Sequence, residues 1–228
     1  MALGILCLIA DLGRPDRIGA LLLSPSFSAI SIGAYALGLA LACSAALGLV
    51  GALDLAVPSA VRRLVEGFGC VFGVVTAAYT GVLLAQMGSS VALWNAALAP
   101  LFFFSSLSVG CACFEVVGYV EGGGVAQASR ASLWTAAVVA FLEAVSVAAW
   151  IGIAVATGVS PLLAGFFGTE EGACLLLCFC VLGLAVPLVL EVLRAARSQV
   201  LTISLIAPVL TIAGAFCLRY CLVNVPIV

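Results

Sequence analysis

The chain has 228 residues, of which 65% are hydrophobic and 8% are charged, and its mean hydropathy is +1.37. Soluble domains carry about 25% charged residues, so this chain cannot cover a water-facing surface, and its high apolar content excludes intrinsic disorder. The net charge of −2 and the lack of a basic run argue against a nucleic-acid partner. The composition indicates a polytopic membrane protein whose surface contacts membrane lipid.

The chain contains no histidine. This excludes haem held by paired histidines on this chain, and it excludes histidine-based zinc sites and general bases.

The apolar runs are long and continuous, which favours helices over the short alternating strands of a transmembrane barrel. We predict an all-α bundle of six full transmembrane helices plus a partial N-terminal one, forming a single domain over 1–228. The partial helix A, Met1 to about Ala10, would be only about 15 Å long, half of a bilayer core. The full helices, to within about three residues, are predicted at 27–53 (B), 67–87 (C), 95–120 (D), 131–157 (E), 172–193 (F) and 200–225 (G).

Arginine counting predicts the orientation. If the helices alternate, Arg14 and Arg17 lie on one side of the membrane. Five arginines lie in loops on the other side: Arg62, Arg63, Arg130, Arg194 and Arg197. We therefore expect a multi-pass protein of the cytoplasmic (inner) membrane, with the 11–26 loop and the C-terminus on the outer face.

Ionisable side chains within membrane helices are costly, which makes them functional candidates. Glu143 lies near the middle of helix E, where its carboxyl should be neutral or paired. It could relay protons, or it could hydrogen-bond a neighbouring helix for structure alone. Glu115 and Glu191 lie towards the cytoplasmic ends of helices D and F, and we interpret them as interfacial carboxylates.

Two further polar residues are predicted at the outer side. Asp11 ends helix A, with Arg14 within pairing distance, and could cap that helix or lie at the mouth of a ligand pocket. Tyr79 lies in the outer half of helix C, at a depth shared by a quinone ring or a lipid headgroup, and its hydroxyl needs a partner. The serines of 105–108 are expected to bond back to their own helix.

The ten cysteines form local groups, but none has the spacing of a cluster-binding run. Buried cysteine behaves as a small hydrophobic residue, so we expect no metal on this chain.

Several segments together resemble the NrfD/polysulfide-reductase membrane-subunit family, in order and spacing along nearly the whole chain. They are Asp11-Leu12-Gly13-Arg14-Pro15, Ser24-Pro25-Ser26 with Ser31-Ile32-Gly33-Ala34, Tyr79-Thr80-Gly81, Trp94-Asn95 with Pro100-Leu101-Phe102, the run from Ser105 to Gly110, Glu143, and Leu218-Arg219-Tyr220. The family pattern has one more helix before helix A. We therefore expect either an upstream start or a shortened chain.

The resemblance implies a haem-free, eight-helix membrane subunit of a molybdopterin oxidoreductase complex. Such subunits exchange electrons between quinone or quinol (menaquinone or ubiquinone) near the outer face and a ferredoxin-like iron–sulfur subunit, which serves a molybdopterin catalytic subunit. By position, Tyr79 would hydrogen-bond a quinone carbonyl, and Asp11 and Arg14 would belong to the same pocket, with Asp11 accepting a proton. Glu143 and Arg219 would be polar groups of the bundle with proton-path roles.

Two other functions remain open from the residues. The chain could be a small-molecule membrane transporter, although it shows neither internal repeats nor a corresponding pair of broken helices. It could also be a structural anchor without a working quinone site.

Overall fold

The computed structural model describes residues 29–86, 93–121, 130–196 and 205–223, and every regular element within these ranges is a helix. Six of the helical stretches are long and apolar enough to cross a membrane. This confirms an all-α polytopic fold with six full transmembrane helices. The predicted partial helix A lies outside the described residues. The elements are α1 (Ala29–Ala52), α2 (Ser59–Gln86), α3 (Leu98–Glu121), α4 (Arg130–Ala156), α5 (Ser160–Phe167), α6 (Glu170–Cys174), a π-helical segment (Leu175–Ala185), α7 (Val186–Ala196) and α8 (Ile206–Val223).

The predicted boundaries of helices B, D, E and F agree with the structure to within about three residues, whereas helix C was predicted too short. Its counterpart α2 begins at Ser59, directly after Pro58, and not near residue 67. The charged residues of this first part suggested a loop. They are nevertheless helical, and Arg62 and Glu66, one turn apart on the exposed face, give this part of the helix modest support by pairing across 2.9 Å.

Two other local features differ from the sequence prediction. The 158–171 connection contains the short helix α5, which begins with Pro161 in its first turn. Helix F is continuous over 170–196, but its central 11 residues are π-helical. In the described residues, helix G begins at Ile206, after a turn at Leu205.

The chain divides into two compact units, Met1–Leu83 and Leu84–Val228. In the first unit, α1 ends in a turn in which Asp54 has a left-handed φ of 47°. The Leu55 N–H then bonds to the Val50 carbonyl at 3.1 Å, the bond that closes a Schellman-type helix end. The prediction of a single domain is not tested by this division and stays a prediction.

The second unit has an apolar core. In it α3 packs along α4 and α8, the π-helical segment packs against α8, and α4 packs against α7. Trp150, Phe102 and Phe179 are each 1% exposed. Their burial removes several hundred Å² of apolar surface from contact with the surroundings.

Trp94 and Asn95, just before α3, connect this end of the helix to two other helices. The Trp94 indole donates a hydrogen bond to the Leu222 carbonyl at 3.0 Å, and the Asn95 amide donates to the Trp150 carbonyl at 3.2 Å. The Trp150 indole in turn donates to the Leu93 carbonyl at 2.9 Å. The acceptors are the carbonyls of Leu222 in the last turn of α8, of Trp150 within α4, and of Leu93 just before α3.

The π-helical segment and α8 approach each other at two glycines. A Cβ built on either Gly183 or Gly214 would overlap the backbone of the other residue. Small residues let membrane helices approach this closely, so the glycine pair fixes where these two helices meet.

Candidate functional site

The interior of the second unit holds a carboxyl group at the predicted mid-membrane position. Glu143 on α4 is 2% exposed. Ser105 and Ser108 on α3 are 0% and 8% exposed, and their hydroxyls face the Glu143 carboxyl. The Ser105 hydroxyl makes no hydrogen bond of ordinary geometry within the described ranges. The carboxyl therefore lies among donors that can stabilise it in the absence of water.

Arg219 on α8 supplies positive charge to the same region. Its guanidinium donates a hydrogen bond to the Ser106 hydroxyl at 2.8 Å and lies 6.0 Å from the centroid of the Phe102 ring. It interacts electrostatically with Glu143, although no direct ion pair joins the two in the described part of the chain. The Ser106 hydroxyl also donates to the Phe102 carbonyl at 2.8 Å, which confirms the bond back to its own helix.

A second buried group of charges lies two turns further along α3. Glu115 pairs with Arg194 of α7 at 2.9 Å, and the two side chains are only 6% and 8% exposed. Glu191, one turn before Arg194, is 7% exposed. Glu115 and Glu191 each keep one carboxylate oxygen without a hydrogen-bond partner among the described residues. Glu191 also interacts electrostatically with both Glu115 and Glu143, which links the two groups.

We call these residues together the polar column. Its members come from four helices of one unit: Ser105, Ser106, Ser108 and Glu115 of α3, Glu143 of α4, Glu191 and Arg194 of α7, and Arg219 of α8. From Ser105 to Glu115 the column follows α3 for about 15 Å, half the thickness of a bilayer core. Carboxyl and hydroxyl groups in such a series can pass protons between them.

The interpretation of Glu115 and Glu191 as interfacial carboxylates is wrong, because both side chains are buried. The count of loop arginines also included Arg194, which lies inside α7 and pairs with Glu115. Arg62, Arg63 and Arg130 also lie within helices, in the first turns of α2 and α4, and the orientation stays a prediction. The sequence contains a sign of the buried charge group, because Glu191 and Arg194 are three residues apart and therefore lie on the same face of a helix.

Tyr79 belongs to the first unit, where its half-buried ring lies directly against α1. A Cβ at position 33 would overlap this ring, so Gly33 is what allows the ring to approach the helix backbone. The phenol ring is therefore held against α1. Within the described ranges we find no hydrogen bond from the Tyr79 hydroxyl.

The structure brings together only some of the predicted site residues. Glu143 and Arg219 lie in the same buried region, as members of the polar column. Tyr79 lies in the other unit. Asp11 and Arg14 lie outside the described residues.

Comparison with known protein families shows the family to which the chain is related. Residues 1–227 match the family described as Polysulphide reductase, NrfD. The chain belongs to this family. No curated protein and no solved structure matches the chain.

Membership of the NrfD family confirms the resemblance that the sequence motifs suggested. NrfD proteins are polytopic membrane subunits of molybdopterin oxidoreductases, and they act with oxidoreductase catalytic subunits. Together with the six apolar spans, this establishes a multi-pass membrane protein.

Proposed function

We propose that this chain exchanges electrons between the membrane quinone pool and an iron–sulfur partner subunit of a molybdopterin oxidoreductase complex. The observation that carries the proposal is the Tyr79 hydroxyl. It lies half-buried in an apolar span and has no hydrogen-bond partner within the described ranges. A buried phenol needs such a partner, and the carbonyl or hydroxyl of a quinone or quinol head supplies one.

Quinol oxidation releases two electrons and two protons, so the protein must accept both. In the proposal the electrons pass to a ferredoxin-like iron–sulfur subunit and from there to a molybdopterin catalytic subunit. Asp11 accepts one proton and Arg14 lies in the same pocket, as the family resemblance implies. The polar column gives the second unit carboxyl groups that exchange protons within the membrane, with Glu143 at its centre and Arg219 opposing its charge.

The proposal also includes the orientation of the chain in the membrane. Arginine counting places the 11–26 loop and the C-terminus on the outer face of the cytoplasmic membrane. The quinone site and the partner subunits would then be on that face. Menaquinone and ubiquinone both present the same carbonyl to Tyr79, so the proposal covers either one.

The test is a Tyr79→Phe substitution in the complete membrane complex, assayed with a quinol analogue. Loss of one hydrogen bond of about 1–1.5 kcal/mol should lower quinol-dependent turnover about tenfold. Assembly should be unchanged, because the ring is retained. Tyr119→Phe on α3 is the matched control and should leave turnover unchanged. Equal turnover for Tyr79→Phe and the native complex would contradict the quinone role and favour a structural anchor.

Glu143→Gln tests the proton role separately. The amide keeps the shape of the side chain and stays beside the α3 hydroxyls, but it cannot take up a proton. We expect quinol-dependent turnover to fall at least about tenfold, with the electron carriers of the partner subunits still reducible by an artificial donor. Glu66→Gln, on the exposed face of α2, is the control. Normal turnover of Glu143→Gln would assign that carboxyl to packing alone.

A further inference from the structure

Four cysteines from two facing helices converge near one end of the second unit. Cys174 and Cys178 are four residues apart at the start of the π-helical segment, and Cys217 and Cys221 are four residues apart on α8. The Sγ atoms of Cys174 and Cys217 are 3.1 Å apart, and those of Cys217 and Cys221 are 3.8 Å apart. The Sγ atoms of Cys174, Cys178 and Cys217 all lie within 4.8 Å of one another.

The backbone explains why these short side chains meet. Residues four apart share a face of a helix, so each helix presents a pair of thiols. The contact of Gly183 with Gly214 brings the two helix backbones unusually close, and Cys217 lies one turn from Gly214. Cysteine reaches only one heavy atom beyond Cβ. Without this close approach the two pairs of thiols could not touch.

The spacing of the sulfur atoms fits a metal ion between them. A tetrahedral thiolate site with metal–sulfur bonds of about 2.3 Å separates its sulfur atoms by about 3.8 Å. The observed separations of 3.1 Å and 3.8 Å, with an upper limit of 4.8 Å for the group of three, lie on either side of that value. Cys221, which is 0% exposed, has its Sγ atom 3.8 Å from that of Cys217 and is a candidate fourth donor, although it lies outside the group of three whose sulfur atoms are within 4.8 Å of one another.

We propose that Cys174, Cys178 and Cys217, with Cys221 as the fourth donor, bind one thiophilic d¹⁰ cation of the zinc(II) or copper(I) class. Soft thiolate ligands select such ions over magnesium, calcium or manganese. Each thiol that binds releases its proton to solvent, and no oxidation is required. Cys178 is exposed on the surface of the second unit and Cys174 is half-buried, so the site is not sealed between the helices.

The proposal is independent of the quinone function, since it uses neither Tyr79 nor the polar column. It departs from the sequence expectation of no metal on this chain. That expectation considered spacings within single segments. Here the donors come from two segments about 40 residues apart, which only the packing of the π-helical segment on α8 brings together.

The experiment is a cadmium titration of the reduced, metal-free protein in detergent, followed by the ultraviolet thiolate-to-cadmium charge-transfer band. We expect one ion per chain. Cys217→Ser should weaken binding more than about tenfold, because it removes the central donor. Cys178→Ser should weaken binding as well, and it alters an exposed side chain that the fold does not need. Cys113→Ser, an exposed cysteine of α3, is the control and should bind as the native protein does.

Three outcomes would overturn the proposal. One is the absence of a stoichiometric band in the native protein. Another is an equal band in the native protein and in both Cys217→Ser and Cys178→Ser. The third is a Cys174–Cys217 disulfide, found by peptide mapping without reductant, together with failure of the reduced protein to bind cadmium. Retained helical content in Cys178→Ser ensures that a loss of binding reports on the site.

Discussion

Two ion pairs of the same length lie in the two units and differ in burial. Arg62 and Glu66 in the first unit pair at 2.9 Å, with side chains 66% and 47% exposed. Arg194 and Glu115 in the second unit also pair at 2.9 Å, with side chains 8% and 6% exposed. An exposed pair contributes at most about 1 kcal/mol, whereas removal of one partner of a buried pair leaves an uncompensated charge. The surroundings, and not the pair geometry, decide what each interaction contributes.

The same contrast holds for the helices as a whole. In the most apolar stretch of each membrane span, the buried share is 17% and 11% for the two spans of the first unit. It is 28% to 44% for the spans of the second unit. The second unit can therefore exclude lipid and water from charged groups and still satisfy them with neighbouring helices. In the first unit, the two described spans keep more of their apolar residues exposed.

The sharpest test of this contrast is Arg194→Met. The substitution keeps apolar volume but leaves Glu115 and Glu191 buried without their cation, so we expect a loss of about 3–5 kcal/mol in the free energy of unfolding. The double variant Arg194→Met with Glu115→Gln should recover part of this loss. Unfolding in mixed detergent micelles measures both.

Arg62→Met in the first unit is the matched control. Its pair is exposed, so the free energy of unfolding should change by less than about 1 kcal/mol. Similar losses for the two arginine variants would show that burial does not separate the two units as we infer.

A smaller loss of stability is expected from a substitution at the contact between the π-helical segment and α8. Gly214→Ala places a methyl group against the backbone of Gly183, and the strain should lower the free energy of unfolding by about 1–3 kcal/mol. Gly110→Ala on α3 meets nothing within 4 Å and should be neutral or stabilising by about 0.5–1 kcal/mol. Thermal unfolding followed by circular dichroism distinguishes them. If Gly214→Ala were as stable as Gly110→Ala, the close approach would not exist in solution.

The sequence predicted the number and positions of the long helices well, because hydropathy over about 20 residues reports directly on membrane crossing. It failed where polarity was used as a sign of a loop. The first turns of α2 carry Arg62, Arg63 and Glu66 and are still helical.

The polar column was only partly predictable from the sequence. Glu143 stands out because it is a single charge within an apolar run. The pairing of Glu115 with Arg194 depends on how α3 and α7 are rotated about their axes, and no spacing along the chain reports this. The π-helical geometry of Leu175–Ala185 could not be predicted either, because its apolar residues also form ordinary α-helices.

In the first unit, Gly33→Ala tests the placement of Tyr79. The new methyl group would overlap the tyrosine ring, so the ring must move away from α1. If the hydroxyl contacts a quinone, quinol-dependent turnover of the complex should fall up to about tenfold. Gly38→Ala lies on the same helix with nothing within 4 Å and should leave turnover unchanged. A normal rate for Gly33→Ala would show that turnover does not depend on the position of the Tyr79 ring.

The smallest effect concerns single hydrogen bonds in the second unit. Trp94→Phe removes the bond from the indole to the Leu222 carbonyl and should cost about 1 kcal/mol in the free energy of unfolding. Trp134→Phe alters a side chain that is 52% exposed, so its effect should be close to zero. Both variants keep an aromatic ring, so the difference in their unfolding midpoints reports the bond itself. Equal midpoints would mean that Trp94 contributes through its ring and not through its hydrogen bond to the Leu222 carbonyl of α8.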